Sequence, residues 1–348
     1  MPSAGEIVVS ASRTRERELL DAVRSGDRDA FGRLVEPYRR ELHAHCYRML
    51  GSYADAEDAF QETLLRAWRG LTRFEERSSL RTWLYRIATN TCLRAIERRP
   101  ARVLPIDYEP ATDPRDGLGE GVDEALWLEP YPDVELGFAG PEARYEQREA
   151  IELAFIAALQ HLPARQRAVL ILRDVLGFSA RETAEALETT PVSIDSALQR
   201  AHKNVHERLP SRSQQQTLRQ LGDEELSRIV ERFVAAWEGN DVDAVVAMLT
   251  EDVRLVMPPL PTWFDGREQV AASLRLYGLV GLERWRLVPA AANGQAACAA
   301  YTWDDETGAF VPHCLQVLTL QGDLIAAMTS FIAPETFGRF GLPASLSG

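Results

Sequence analysis

Between Leu80 and Arg99 the chain carries Trp83, Tyr85, Arg86, Asn90, Arg94, Arg98 and Arg99. Aromatic faces stack unpaired bases, and arginines interleaved with them hold phosphates. Just upstream, Asp55, Asp58 and Glu62 recur at helical spacing ahead of Arg66 and Arg69, a carboxylate face that runs into arginines. A third set lies far downstream: Asp252, Trp263, Asp265, Tyr301, Asp304 and His313. Acid–base work would need those groups to converge within hydrogen-bond reach. Asp265-Gly266 also fits a turn, Asp252 a strand-start cap and His313 a plain strand position. His43, His45 and Cys46 stand at i, i+2 and i+3, which do not converge on one metal. Cys46, Cys92, Cys298 and Cys314 are scattered without a CxxC pair, so neither a disulfide framework nor a zinc knuckle is expected. No cofactor or metal is implied.

The elements that must position the first two sets are helices. Phe60, Leu64, Ala67 and Leu71 form an apolar stripe at i, i+4, i+7 and i+11, opposite the carboxylates. A break at Gly70–Arg73 and the polar Arg73–Ser79 separate this helix from a second, Leu80–Arg99. Leu19, Leu20 and Val23, then Phe31 to Met49, predict further helices upstream. Between Ala164 and Leu209, Ser179 with Glu182 reads as a capping box, Glu188-Thr189 as a tight turn, and Thr190 as the cap of a helix with Pro191 at its first position. That is a helix-turn-helix pattern. Ile194, Leu198, Ala201 and Val205 face its core.

The run DAEDAFQETLLRAW, a polar loop, then SSLRTWLYRIATN closely resembles domain 2 of sigma factors of the extracytoplasmic-function (ECF) type. The helix-turn-helix resembles their domain 4. The resemblance implies that Asp55, Asp58, Gln61, Glu62 and Arg66 dock on the beta-prime clamp helices of RNA polymerase core, with the beta flap as a further contact. It implies that Phe74, Arg77, Ser78, Ser79, Trp83, Tyr85, Arg86, Asn90 and Arg94 open and read the minus-10 element of promoter DNA. Val192, Ser193, Asp195, Ser196, Gln199, Arg200 and Lys203 would meet the minus-35 element from the major groove. Asp195 and Ala197 stand where many relatives carry Lys and Arg. An aspartate there accepts from cytosine but repels phosphate, which puts the promoter sequence in question.

Residues 100–141 hold ten Asp/Glu against two Arg, with seven prolines. They read as an extended linker with one short turn at Val122–Leu128. In sigma factors this segment threads the polymerase cleft, where an acidic peptide presents charge much as RNA does. Trp127, Leu128 and Tyr131, in WLEPYP, are too apolar to stay solvated, so this patch should dock. After a polar linker at 210–222, amphipathic helices precede an antiparallel meander, an α+β sheet with a concave face. VERFVAAWEGNDVDAVVAMLTEDVRLVMPPLPTWFDGREQV resembles the polyketide-cyclase-like (SnoaL-like) family, a cone-shaped fold. Ala297 and Ala299 would leave room in it for a small-molecule ligand.

The expected architecture is multidomain: leader 1–14, all-α sigma domain 2 at 15–99, linker 100–141, sigma domain 4 at 142–209, linker 210–222 and cone domain 223–348. The reading is a sigma factor, not an enzyme, whose cone regulates it by packing Trp263 on the Trp127 patch. The alternatives are a cyclase-like enzyme carried by a DNA-targeting module, and a stand-alone repressor. The net charge of −13 counts against a protein that holds DNA unaided. With no run of about 20 apolar residues and no signal-peptide core, a cytoplasmic protein without membrane contact is expected.

Overall fold

The computed structural model describes residues 15–99, 101–136, 148–279 and 284–348. The expected leader 1–14 lies outside them, as do Pro141 and the first residues assigned to domain 4. The described residues divide into two compact units, one of 15–50, 54–99 and 164–200, the other of 51–53, 101–136, 148–163, 201–279 and 284–348.

The first unit is helical. A helix over 15–24 is followed by α2 (Arg28–Val35), α3 (Arg39–Leu50), α4 (Tyr53–Gly70) and α5 (Leu80–Ile96). Asp27 caps α2 by accepting from the Ala30 amide, and Ser79 caps α5 by accepting from Thr82. Leu42, Cys46, Met49, Phe60, Ala67, Leu84, Ala88 and Cys92 form the core. Small residues at positions 88 and 92 suit close helix packing. His45 donates to or accepts from Thr89 at 2.9 Å across α3 and α5. Burial, with the charges of Arg48 and Arg81, pushes this imidazole down to about 3, so it is neutral.

We number the next two helices of this unit after α6 (Leu153–Gln160), which belongs to the second. They are α7 (Ala164–Leu170, ending in a wide turn Ile171–Val175) and α8 (Ala180–Ala186). Ser179 and Glu182 make the capping box reciprocally. The left-handed Glu188, at φ +52°, turns the chain into α9 (Pro191–His206).

The second unit holds the linker. Among its described residues the linker has only single turns such as Glu124–Leu126, and its bridge Val103–Trp127 folds it back on itself. The cone follows, with α10 (Gln214–Glu238), α11 (Val242–Val246), β1 (Leu249–Val256), β2 (Trp263–Asp265), α12 (Arg267–Ser273), β3 (Trp285–Ala292), β4 (Gln295–Asp304), β5 (Ala309–Gln321) and β6 (Leu324–Phe331). The sheet order is β2-β1-β6-β5-β4-β3, antiparallel except for the parallel β1–β6 pair. Its inner face packs on Phe233, Trp237 and Val270 of the helices.

The polar segment 210–222 is not a linker throughout. Ser213 caps α10, and residues 214–221 are helical up to a break at Gly222, φ +75°. Gln214 and Gln215 are buried because their amides clamp the main chain of Leu320 and Gly294. Such fixed polar partners hold a sequence that composition alone marks as loop.

Candidate functional site

The carboxylate face is built on α4. Asp58 and Gln61 are exposed, Gln61 donating to Glu57 at 2.6 Å, and Glu62 pairs with Arg66 at 2.6 Å. Asp55 is nearly buried and ion-paired with Arg99 from beyond the end of α5. A cleft of about 290 Å³ runs between the two helices, lined by Asp55, Asp58, Glu62, Arg66, Arg94, Arg98 and Arg99. The docking set and one member of the DNA set, Arg94, thus share one opening. Sequence reasoning missed Leu65, half exposed beside Gln61. Its signal was an apolar residue one turn from Gln61 on the polar face, the place for a hydrophobic anchor.

The DNA-facing set divides. Arg77 and Arg94 are exposed, Ser78 and Trp83 half-buried, and Ser79 is the α5 cap. Phe74 is buried with its ring 5.0 Å from Trp83. Tyr85 is 1% exposed, its hydroxyl donating to Glu41 at 3.2 Å. Burial, then the Glu41 charge, raises its pKa. Phe74 and Tyr85, expected to face DNA, are thus packed as core residues in this structure. Helical spacing places Tyr85 on α5 but cannot tell the inner face from the outer when both carry aromatics. Arg86 ends on Glu188 at 2.9 Å and Asn90 on the Ala186 carbonyl at 3.4 Å.

The minus-35 set is presented outward. Thr190 accepts from the Ser193 amide at 3.2 Å and so caps α9. Val192, Ser193, Asp195, Gln199, Arg200 and Lys203 are exposed and Ser196 half-buried, while Ile194 points into the core. Val192 is 75% exposed. An apolar side chain so open at the start of a helix suits contact with a thymine methyl.

Trp127, Leu128, Tyr131 and Trp263 are all buried in the second unit. The rim around Trp263 was expected to pack on the WLEPYP patch; Trp127 meets Tyr108, and Trp263 meets the neighbouring Glu109. The Tyr108 ring meets Trp127 edge-on at 5.4 Å, and the Glu109 carbonyl accepts from Trp263 Nε1 at 2.8 Å. Neighbouring residues of the linker thus supply a partner to each indole. The Trp263 carbonyl accepts from Thr112, Thr262 donates to the Leu118 carbonyl, and the Pro259 carbonyl accepts from Val122. Tyr131 exchanges hydrogen bonds with Asn293 at the β3–β4 turn. Asn293 and Gly294, φ +55° and +68°, make the left-handed pair that such a two-residue hairpin needs.

Glu129 gathers three other segments. It accepts from Ser52 at 2.7 Å and Arg339 at 3.2 Å, lies 3.6 Å from Arg102, and donates its amide to the Gly51 carbonyl. Gly51 has φ +72°, and a Cβ there would meet Leu128 at 2.6 Å, so only glycine fits beneath the patch.

Buried Glu152 accepts from the Gln214 amide at 3.0 Å and the Gln215 amide at 2.7 Å. Burial lifts its pKa to about 7, those amides pulling down and neighbouring Glu149 pushing up. A carboxyl raised in the folded state contributes stability that is full below about pH 4.5 and lost as pH rises through about 7. Stability should therefore fall by about 3 kcal/mol over that window, and Glu152→Gln should flatten it. Thermal unfolding of both proteins from pH 5 to 8 checks this; parallel curves would refute it.

The cone's acid–base candidates do not converge. Asp252 is exposed, Asp265 pairs with Arg254 at 3.5 Å, and Asp304 closes the β4–β5 turn on Glu306 and Thr307. Tyr301 donates to the Pro343 carbonyl in the outer core. His313 is the extra residue of a β5 bulge, set against Trp285 on the other face. Burial lowers its pKa. Ala297 and Ala299, expected to border a ligand space, are both buried in one core cluster with Phe310 and Phe337.

Known proteins share this layout. Sigma-70 region 2 matches residues 34–101, Sigma-70 region 4 matches 152–205, and the SnoaL-like domain matches 230–328. The ECF RNA polymerase sigma factor SigG of Mycobacterium tuberculosis is 43% identical over 325 residues, 93% of this chain and 86% of that one. The chain belongs to the ECF sigma factor family. The RNA polymerase sigma-H factor of Pseudomonas aeruginosa is 30% identical over 94% of its own length but only 56% of this chain. The fold of the sigma factor is also that of the M. tuberculosis ECF sigma factor SigJ, whose crystal structure aligns over 88% of this chain and 97% of that one, TM-score 0.55, at 24% identity. A sigma factor works with RNA polymerase core at promoter DNA. Among the described residues no helix is long and apolar enough to cross a membrane.

Proposed function

We propose that this sigma factor docks on the polymerase clamp helices through Asp58, Gln61, Glu62 and Leu65, reads the minus-35 element with the outer face of α9, and is controlled by its own cone domain. It acts in the cytoplasm and lends promoter recognition to the polymerase rather than performing chemistry of its own. The observation that carries the regulatory reading is the burial of Trp127, Leu128 and Tyr131 within the cone's unit. A linker held by Trp263, Asn293 and Arg339 is withheld from the polymerase channel. Two states follow, cone-held and polymerase-held, and whatever favours one weakens the other.

In vitro transcription with purified core and genomic promoter fragments tests this, read as mapped start sites. The full chain should initiate, and Glu129→Gln, which loosens the clasp without emptying the core, should change the yield at the same sites. Equal yields would overturn regulation by the cone; no initiation by either would overturn the promoter reading.

A further inference from the structure

Three donors of α5 end on oxygens of the helix-turn-helix. Arg86 Nη2 donates to the Glu188 carboxylate at 2.9 Å, Asn90 Nδ2 to the Ala186 carbonyl at 3.4 Å, and Arg81 Nη1 to the Leu176 carbonyl at 3.4 Å. The Arg81 guanidinium also lies over the rings of Tyr85 and Phe178, at 4.9 and 5.0 Å. Arg86 and Asn90 belong to the DNA-facing set, and no solvent or nucleic acid is needed to account for their orientation. A carboxylate and two carbonyls present what a nucleic-acid strand presents: an anionic oxygen for an arginine and neutral acceptors for an amide. The turn that supplies Glu188 is held in the left-handed region at φ +52°, which carries its side chain off the end of α8.

We infer that the turn between α8 and α9 is an internal stand-in for a DNA strand: Glu188 and the Ala186 carbonyl occupy Arg86 and Asn90 until single-stranded DNA displaces them. This rests on the reading of α5 as a DNA surface. The contact makes the helix-turn-helix a competitor for the strand as well as a reader of duplex. The Arg86–Glu188 pair is largely solvent-exposed, 47% and 75% by side chain, so it is weak enough to exchange. Exposed pairs of this kind shift an equilibrium by at most about fivefold.

The test is fluorescence anisotropy of the full chain with a labelled, random-sequence single-stranded DNA 15-mer at low salt. Glu188→Gln should tighten binding about two- to fivefold. Glu185→Gln is the control: it removes the same charge three residues upstream, on α8, where Glu185 pairs with Arg181. It should leave affinity at the wild-type value. Arg94→Ala reports on the DNA surface itself, because Arg94 is exposed on α5. If Arg94→Ala weakens binding but Glu188→Gln and Glu185→Gln behave alike, the stand-in is wrong and the DNA surface stands. If Arg94→Ala changes nothing, the surface reading falls and takes the stand-in with it.

Discussion

Asp58→Arg combined with Glu62→Arg should weaken binding to polymerase core by about 100-fold or more while leaving the helical unit folded. Like charges pressed together across an interface cost several kcal/mol, and each 1.4 kcal/mol is tenfold. The fold loses little. Asp58 is exposed, and the Glu62–Arg66 pair is an i, i+4 surface bridge worth about 0.3–0.5 kcal/mol. Asp55 must be left alone in this experiment, because it is nearly buried against Arg99 and its reversal would strand a charge. Co-purification with core, beside circular dichroism of the free variant, gives the answer. Normal helicity with unchanged affinity would remove α4 from the interface.

Trp263→Ala should cost about 3–5 kcal/mol of the second unit's stability and release the linker. Trp263 is 8% exposed, and its ring and carbonyl hold the linker at two places, Glu109 and Thr112. Trp263→Phe keeps the apolar bulk but loses the donor to Glu109, so it should cost only about 1 kcal/mol. Urea unfolding gives the energies, and limited proteolysis should cut Trp263→Ala, but not the parent, between Glu109 and Val122. An uncut linker in the alanine variant would mean that Asn293 and Arg339 hold it without Trp263. Removing the whole cone is a blunter change, since it would bare Trp127, Leu128 and Tyr131 and leave Glu152 without the Gln214 and Gln215 amides.

Periodicity made α4, α5 and the helix-turn-helix legible, because caps such as Ser79, Ser179 and Thr190 act over three or four residues. The apolar WLEPYP patch signalled docking by its composition. What it docks on was not legible: Asn293, Arg339 and Gly51 lie far off in sequence, and no local rule links Glu129 to them. Tyr85 shows a second limit. An aromatic among arginines has the same spacing whether it faces a base or the core, and only the neighbouring Phe178 and Glu41 decide. The same holds for Ala297 and Ala299, small residues that allow either a cavity or the close approach of another segment.

The parallel pairing of β1 with β6 sets a clock on the newborn molecule. Residues 249–256 can complete their place in the sheet only when residues 325–329 have been made. Synthesis runs from the N-terminus at about 5–20 residues per second. Residues 15–209, with all the side chains proposed to face polymerase and promoter, are therefore made about ten seconds before the cone can close. Until residues 293–294 are made, Tyr131 has no β3–β4 turn to hydrogen-bond. On the proposed control by the cone, each molecule would begin with an open linker and acquire its restraint last.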